Sequence, residues 1–427
     1  MAISVMAGAL QGVNAIPIEV EVDLLRRLPS ISVVGLAASA VKESAERVRS
    51  AIGSAGLEFP RKRVVVNLAP ADVPKEGTAF DLPVALAILA ADDQIPTEGL
   101  REWLIAGELS LSGRLRGIRG ALSLALLARD MNLGILLPRD SAAQAAAVPG
   151  LRVGCADTLA EVVAYFADGT ALRDPPTVRR TPLISTVDLS DVRGQPVARQ
   201  ALELAAAGGH HLLLMGPPGC GKSMLAKRLP TLLPPLRFDE AIEVSQIYSA
   251  AKLLSGDADL IHERPFRAPH HSVTPAGLIG NRDLRPGEVS LAHHGVLFLD
   301  EATEFRRTSI EVLREPLEDG TVRITRAAGT VSYPASVTMI MASNPCPCGR
   351  RGSPLPCACS DSDVLRYRNR LSGPILDRID LYVELQAVPP SELLMTGPAE
   401  SSAVVRARVV AARARQHERG QHRVNAR

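Results

Sequence analysis

The chain has 427 residues, of which 46% are apolar and 22% charged, and its formal net charge is +2. This length allows two or three domains with separate cores, and the small net charge neither requires nor excludes a nucleic-acid partner. No run approaches the roughly 18 apolar residues of a membrane span, and residues 1–10 lack the basic leader of a secretory signal. These features predict a cytoplasmic protein with reduced thiols and no membrane partner.

The first 168 residues alternate strand and helix patterns, which predicts a mixed α/β module. Helical spacing of apolar residues marks 39–54 and 82–91. Strand patterns occupy 16–22, 64–68, 104–109 and 134–138. Residues 169–188 contain Pro and Arg without periodicity, which is typical of a linker. A second α/β module is predicted for 189–388, and 389–427 begins an Arg-rich helical segment.

The strongest motif is a glycine-rich loop between a short apolar strand at 211–215 and a helical segment. The loop satisfies G-x-x-x-x-G-K-[ST] in the strand–loop–helix context of a P-loop. Its backbone N–H groups and the following helix N-terminus favour a bound phosphate. Lys222 is expected to neutralise the β- and γ-phosphates, and Ser223 to ligate Mg²⁺. The predicted nucleotide-binding residues of this motif are Gly216, Pro217, Pro218, Gly219, Cys220, Gly221, Lys222, Ser223 and Met224.

Two further apolar strands end in polar residues. Residues 296–299 lead into Asp300, a candidate Mg²⁺ ligand, and Glu301, a candidate base that orients and deprotonates the attacking water. The strand at 337–343 leads into Asn344. Because ligands bind at the carboxyl ends of strands in open α/β sheets, Asn344 is a candidate catalytic residue; turn formation is the alternative.

These motifs, taken together and in this order, resemble an AAA+ ATPase, and more narrowly the magnesium-chelatase-like ATPases of the YifB/ComM competence family. Further stretches carry the resemblance: FRAPHH at 266–271, PGEVSLAH at 286–293, NPCPCG at 344–349 and GPILDRID at 373–380. The resemblance implies ATP and Mg²⁺ as cofactors. It also implies that Asn344 is the sensor-1 residue and that Arg378 is an arginine finger reaching a neighbouring subunit, with a surface salt bridge to Asp377 or Asp380 as the alternative.

The resemblance also assigns the remaining parts of the fold. Val192, Gly194 and Gln195 match the segment that lines the adenine pocket. Residues 321–331, with Arg323 and Arg326, resemble a hairpin that points into the pore of a ring. The chain is expected to combine a Lon-protease-like (ribosomal S5 domain 2-like) module at 1–168, a P-loop AAA+ parallel-sheet domain at 189–388, and a truncated helical lid at 389–427.

The first module is expected to be non-proteolytic. Lon-type peptidases need a Ser nucleophile activated by a Lys. Alignment on the resembled family places Ala79 at the serine position and Leu122 near the lysine position. An ATP-dependent protease is therefore disfavoured, and a docking or DNA-contact role is expected for this module.

Four cysteines crowd into residues 346–359. Cys346, Cys348, Cys357 and Cys359 could complete a tetrahedral Zn²⁺ site; four free thiols are the alternative. Histidines occur as adjacent pairs at 210–211, 270–271 and 293–294. Because neighbouring residues on a strand face opposite ways, loop or capping roles are expected for these pairs. His270 and His271 lie in the family's pore-side insertion and are candidate DNA contacts.

Two functions remain open. The resemblance favours a hexameric DNA motor that uses ATP hydrolysis for branch migration or helicase action on single-stranded or branched DNA, in recombination and natural transformation. The alternative is a protein-remodelling chaperone of the magnesium-chelatase subunit type. DNA stimulation of the ATPase would separate them.

Overall fold

The computed structural model describes residues 2–35, 39–71, 73, 75, 77–176, 187–251, 253–254, 260–281, 284–326, 329–371, 373–388, 399–419 and 424–426, with backbone only at 39–43, 326 and 329. The chain divides into two compact units. Unit 1 comprises residues 1–180 and 245–261, and unit 2 comprises 181–244 and 262–427. Among the described helices, none has the length and apolar character that crossing a bilayer requires.

Unit 1 is built on a seven-stranded mixed sheet in the order β3-β4-β2-β1-β5-β8-β9. Its strands are β1 (Ile3–Gln11), β2 (Asn14–Leu25), β3 (Ser30–Val34), β4 (Arg63–Ala69), β5 (Trp103–Ile105), β8 (Gly134–Pro138) and β9 (Val153–Ala156), and a separate small ribbon pairs β6 (Glu108–Leu109) with β7 (Leu115–Arg116). β1 and β2 form an antiparallel hairpin that pairs Gln11 with Asn14. Alternate residues of β2, namely Ile18, Val20 and Val22, are buried, as expected when one face of a sheet covers the core.

Five helices pack on this sheet: α1 (Ser39–Ser54), α2 (Asp81–Ala91), α3 (Ala121–Asp130), α4 (Arg139–Ala146) and α5 (Leu159–Asp168). Helix α2 is buried along nearly its whole length. Its first residue, Asp81, accepts two hydrogen bonds from Arg47 of α1 and one from the backbone N–H of Leu109. This buried ion pair joins α1, α2 and β6.

Two segments outside residues 1–168 complete unit 1. Gln246 donates to the Val13 carbonyl, and the Ser249 hydroxyl bonds Gly120 and Gln144. Arg173, within the predicted linker, pairs with Cys155 of β9 and forms ion pairs with Asp157 and Glu161. The sequence predicted that this module ends at 168 because Gly169 and the prolines stop the helix pattern. That pattern carries no information about contacts that residues after 168 make with the edge of the sheet.

Unit 2 contains a five-stranded sheet in the order β11-β12-β15-β10-β16, and every neighbouring pair is parallel. Its strands are β10 (Leu212–Met215), β11 (Phe266–Arg267), β12 (Val296–Leu299), β15 (Thr338–Ser343) and β16 (Leu381–Glu384). In the register, Met215 lies beside Ser343, and Leu299 beside Met341. The carboxyl ends of β10, β12 and β15 therefore lie at one edge of the sheet.

Helix α9 (Phe238–Ala250) begins in unit 2 and, from residue 245 on, belongs to unit 1. The other helices of unit 2 are α6 (Pro196–Gly208), α7 (Lys222–Ala226), α8 (Leu229–Leu232), α10 (Pro275–Ile279), α11 (Glu288–Leu291), α12 (Arg307–Glu311), α13 (Arg314–Asp319), α14 (Asp361–Arg368), α15 (Gly373–Leu376) and α16 (Ser402–Glu418). The start of α16 is tied to the start of unit 2, since Asp188 accepts the Ser402 N–H and the Leu189 N–H donates to the Ser402 hydroxyl. β13 (Thr321–Arg326) and β14 (Gly329–Pro334) form the predicted hairpin.

Candidate nucleotide-binding site

The phosphate loop connects β10 to α7. Gly219 has φ 80° and Gly221 has φ 97°, left-handed conformations that glycine adopts without steric cost. At Gly216 an added Cβ would lie 2.6 Å from the Leu385 carbonyl oxygen. The glycines thus permit both the curl of the loop and its close approach to the strand end. The Cys220 side chain is buried, and Met224 is partly exposed.

The Lys222 ammonium lies inside this curl. Its Nζ donates to the carbonyls of Gly216 at 2.6 Å and Pro217 at 3.0 Å, and to Oδ1 of Asn344 at 3.2 Å. Burial lowers the pKa of Lys222, although the nearby carboxylates of Asp300 and Glu301 act in the opposite direction. The ammonium thus lies between the phosphate loop and Asn344.

Ser223 and Asp300 meet across the sheet edge. The Ser223 hydroxyl donates to Oδ2 of Asp300 at 2.6 Å, which joins the first turn of α7 to the end of β12. A hydroxyl oxygen and a carboxylate oxygen are the hard ligands that Mg²⁺ accepts, together with phosphate oxygens and water. These two residues fit a magnesium ion held between loop and acid.

Glu301 has an unusual backbone. Its φ is 50°, in the left-handed region that costs a non-glycine residue about 1–3 kcal/mol. Its own N–H donates to Asp300, and its largely exposed carboxylate lies 3.6 Å from Nδ1 of His271. This neighbour was not predicted, since His271 follows β11 and nothing in the local sequence links it to Glu301. The sequence indicated a loop or capping role, or a DNA contact, for His271.

Asn344 follows β15 directly and is reached by Lys222. β15 lies between the strands that carry the phosphate loop and Asp300. The structure therefore brings Lys222, Ser223, Asp300 and Asn344 to one edge of the sheet. If Asn344 served only to form a turn, it would not need the contact with Lys222.

The segment expected to line the adenine pocket also contacts the loop. Val192 is buried, and Gly194 and Gln195 have left-handed φ values of 67° and 53°. The Gln195 amide donates to the carbonyls of Cys220 at 3.3 Å and Gln386 at 2.6 Å. Gln195 thus links the start of α6 to the phosphate loop.

Arg378 has a partner that the sequence did not indicate. Its Nη2 donates to Glu318 of α13 at 2.6 Å, so the alternative pairing with Asp377 or Asp380 is wrong in its partner. This contact lowers the pKa of the exposed Glu318 carboxyl. Glu318 is 60 residues away in sequence, which is why local spacing pointed to the wrong acids. Within the described residues, Arg378 makes no recorded contact with Lys222, Asp300 or Glu301.

The four cysteines converge. All four Sγ atoms lie within 4.8 Å of one another, with 3.5 Å between Cys346 and Cys348, 3.7 Å between Cys346 and Cys357, and 3.6 Å between Cys348 and Cys357. The Arg351 N–H donates to the Cys346 sulfur at 3.4 Å, and a hydrogen bond from the Arg350 backbone helps to lower the pKa of Cys348 to about 6. In the same cluster the neighbouring sulfurs raise the pKa of Cys357 and Cys359, so the four thiols titrate differently.

The histidine pairs depart from the alternation argument. His293 and His294 follow α11 in a turn, and His294 has φ 55°, so both Nε2 atoms reach Glu243, at 2.9 and 2.8 Å. Nδ1 of His293 accepts the Ser336 N–H, which leaves the proton on Nε2 facing Glu243. In this tautomer His293 donates a hydrogen bond to Glu243.

The candidate DNA contacts lie in two parts of unit 2, the strand β13 and the segment after β11. Arg323 is exposed on β13, while its neighbours Val322 and Ile324 are buried. The side chain of Arg326 lies outside the described residues. His270 forms a hydrogen bond with Ser272, and its ring centroid lies 4.0 Å from that of His271, with the two rings tilted by 35°.

Two family models match the chain. The model described as magnesium chelatase, subunit ChlI, matches residues 188–393, and the model described as subunit ChlI of Mg-chelatase matches 20–141. Together they cover both structural units.

Full-length relatives are similar over nearly the whole chain. YifB of Escherichia coli (strain K12) is 45% identical over 421 residues, covering 98% of this chain and 82% of YifB. YifB of Salmonella typhimurium is 45% identical over 428 residues, covering 98% and 83%. Competence protein ComM of Haemophilus influenzae is 41% identical over 430 residues, covering 97% and 82%. The chain belongs to the magnesium-chelatase-like AAA+ ATPase family that includes YifB and ComM.

Proposed function

We propose that this chain binds ATP with Mg²⁺ and hydrolyses it as one subunit of a hexameric DNA motor. The observation that carries the ATPase part is the meeting of Lys222, Ser223, Asp300 and Asn344 at one sheet edge. In this site Lys222 binds the β- and γ-phosphates, Ser223 and Asp300 hold the magnesium shell, and Glu301 activates water. Asn344 positions the γ-phosphate.

The site is completed by a neighbouring subunit. Arg378 is partly exposed in the segment 373–380, and its guanidinium is held by Glu318. A guanidinium beside the γ-phosphate stabilises charge in phosphoryl transfer. Supply of Arg378 by the adjacent copy makes ring formation a condition of hydrolysis.

DNA as the substrate is supported by two observations. A relative that is 41% identical to this chain bears the name competence protein ComM, and the resemblance to its family implies a DNA substrate. The β13–β14 hairpin carries the exposed Arg323 on the face opposite its buried residues. A basic hairpin in the pore contacts the phosphate backbone of single-stranded or branched DNA, in branch migration or helicase action. Unit 1 is a Lon-like, non-proteolytic module in this scheme.

The test measures ATP turnover with and without branched DNA at two salt concentrations. We expect DNA to stimulate turnover, with an apparent affinity that weakens as salt rises. Arg323→Ala should reduce stimulation but leave DNA-free turnover unchanged, whereas Arg129→Ala, a surface change in unit 1, should alter neither. If added DNA does not change ATP turnover, the proposed DNA motor is wrong. That result would favour a protein-remodelling ATPase, which is the alternative suggested by the match to a magnesium-chelatase subunit.

The cysteine cluster binds Zn²⁺ in the same proposal. Zn–S bonds of about 2.3 Å place the sulfurs of a tetrahedral site about 3.8 Å apart. The three sulfur–sulfur distances of 3.5–3.7 Å are close to this value and much longer than the S–S bond of a disulfide. With four cysteines as ligands the site is closed, so its role is structural.

A further inference from the structure

The cysteine cluster adjoins the nucleotide site through the chain itself. Cys346 follows Asn344 by two residues, and its side chain is fully buried. Asn344 accepts the hydrogen bond from Lys222. Because the two residues are so close in the chain, a contact that holds Cys346 in place also restricts the orientation of the Asn344 amide.

A second contact joins the cluster to the phosphate loop. Gly349, directly after Cys348, has φ 74°, and its N–H donates to the Cys346 carbonyl at 2.9 Å. A Cβ added to Gly349 would lie 2.8 Å from Cδ and 2.9 Å from Cγ of Pro218. The turn that carries the first two cysteines thus packs directly on the phosphate loop.

The segment has little else to hold its shape. Residues 345–360 form neither helix nor strand, and all of them are described. The backbone hydrogen bonds recorded inside the segment close only short turns, such as that from Ser353 to Arg350. Cross-linking of the sulfurs by one ion would bring the two Cys-x-Cys ends together and fix the Gly349 turn.

We propose that Zn²⁺ bound by Cys346, Cys348, Cys357 and Cys359 positions both Asn344 and Pro218, so that nucleotide affinity depends on metal occupancy. This inference rests on the proposed nucleotide site at Lys222. The ion takes no part in the chemistry. Its loss frees the Gly349 turn, withdraws support from the phosphate loop and lets the Asn344 amide leave Lys222.

The first experiment compares metal content and nucleotide affinity in the full chain. Plasma mass spectrometry should find about one Zn²⁺ per chain, as a four-thiolate site requires. The double substitution Cys357→Ser with Cys359→Ser should lose the zinc and bind a fluorescent ATP analogue about tenfold more weakly, equivalent to 1.4 kcal/mol. Cys155→Ser, which changes a buried thiol of unit 1, should retain both properties. Removal of zinc from the wild type by a chelator should weaken binding, and added Zn²⁺ should restore it.

The second experiment separates the packing contact from the metal. Gly349→Ala keeps all four thiols but places a Cβ against Pro218, so zinc should remain while nucleotide affinity falls. Gly352→Ala is the matched control, since Gly352 has φ 78° in the same segment and an added Cβ there meets nothing within 4 Å. Circular dichroism and thermal unfolding should show that each variant is folded.

The outcomes are distinguishable. A wild-type chain that contains zinc but fails to bind the ATP analogue contradicts the proposed function. A wild-type chain that binds the analogue with unchanged affinity after zinc removal overturns the coupling, as does Gly349→Ala with the affinity of Gly352→Ala. Purified wild type without zinc, and unable to take it up, overturns the metal site.

Discussion

Nδ1 of His271 lies 3.6 Å from a carboxylate oxygen of Glu301, although the two residues are 30 positions apart in the sequence. His271 is therefore placed to orient the proposed base. We expect His271→Ala to lower ATP turnover several-fold and to leave nucleotide affinity within about twofold, because a general base must be aligned with its water. His271→Gln, which retains a hydrogen-bonding group, should recover part of the turnover. Equal turnover in wild type and His271→Ala would remove this role.

Lys222→Ala and Glu301→Gln should separate binding from hydrolysis. Loss of the Lys222 ammonium should weaken nucleotide binding by about two orders of magnitude, since a hydrogen bond to a charged group contributes about 1.5–3 kcal/mol. Glu301→Gln keeps the size of the side chain but cannot take the proton, so turnover should fall by about 10²–10⁴ while binding persists. Titration calorimetry and phosphate release measure the two quantities. Unchanged affinity in the first variant, or retained turnover in the second, would contradict the assignments.

Arg378→Ala tests whether the site is shared between subunits. Turnover should fall by about 10³ with nucleotide binding intact, as on loss of an arginine finger. Mixing this variant with Glu301→Gln should restore part of the activity, because some interfaces then combine an intact Glu301 with an intact Arg378. Phosphate release from the mixture, compared with each variant alone, is the measurement. A mixture as inactive as its components would argue against a finger supplied by the neighbour.

Arg47→Ala should destabilise unit 1. Asp81 is fully buried, and removal of its partner leaves an uncompensated charge, which costs about 3–5 kcal/mol. Burial raises the pKa of Asp81 even beside Arg47, so the stability that this carboxyl contributes is present below its ordinary pKa and is lost as pH rises through the raised value. Without Arg47 the pKa rises further.

The deficit of Arg47→Ala should therefore be largest near neutral pH and should shrink as the solution is acidified. Urea unfolding at several pH values measures it. Arg129→Ala, which breaks an exposed pair with Asp130, should cost no more than about 1 kcal/mol at any of them. A deficit that grows on acidification would show that Asp81 stays charged in the variant.

The sequence predicted those structural elements well whose signal is local. The phosphate loop and the acid pair are each contained in eight residues or fewer, and strand patterns placed both at strand ends. The predicted strand at 296–299 and helix at 39–54 match β12 and α1. Contacts between distant segments carried no such signal, as His271 with Glu301, Arg378 with Glu318 and Gly349 with Pro218 show.

The neighbours His293 and His294 lie in a turn and not on a strand. Opposite orientation of neighbours holds within an extended strand. His294 has φ 55°, so the turn after α11 brings both rings to Glu243. The opposite orientation of neighbouring side chains therefore does not apply to residues outside a strand.

The left-handed backbone of Glu301 has an energetic consequence of its own. Glycine adopts this conformation without a clash, so Glu301→Gly should raise the melting temperature while it removes the proposed base. If the variant is more stable but has no ATP turnover, stability and catalysis favour different residues at position 301. Evidence for a functional role at this position would then come from thermal unfolding and turnover measured together, independent of any motif.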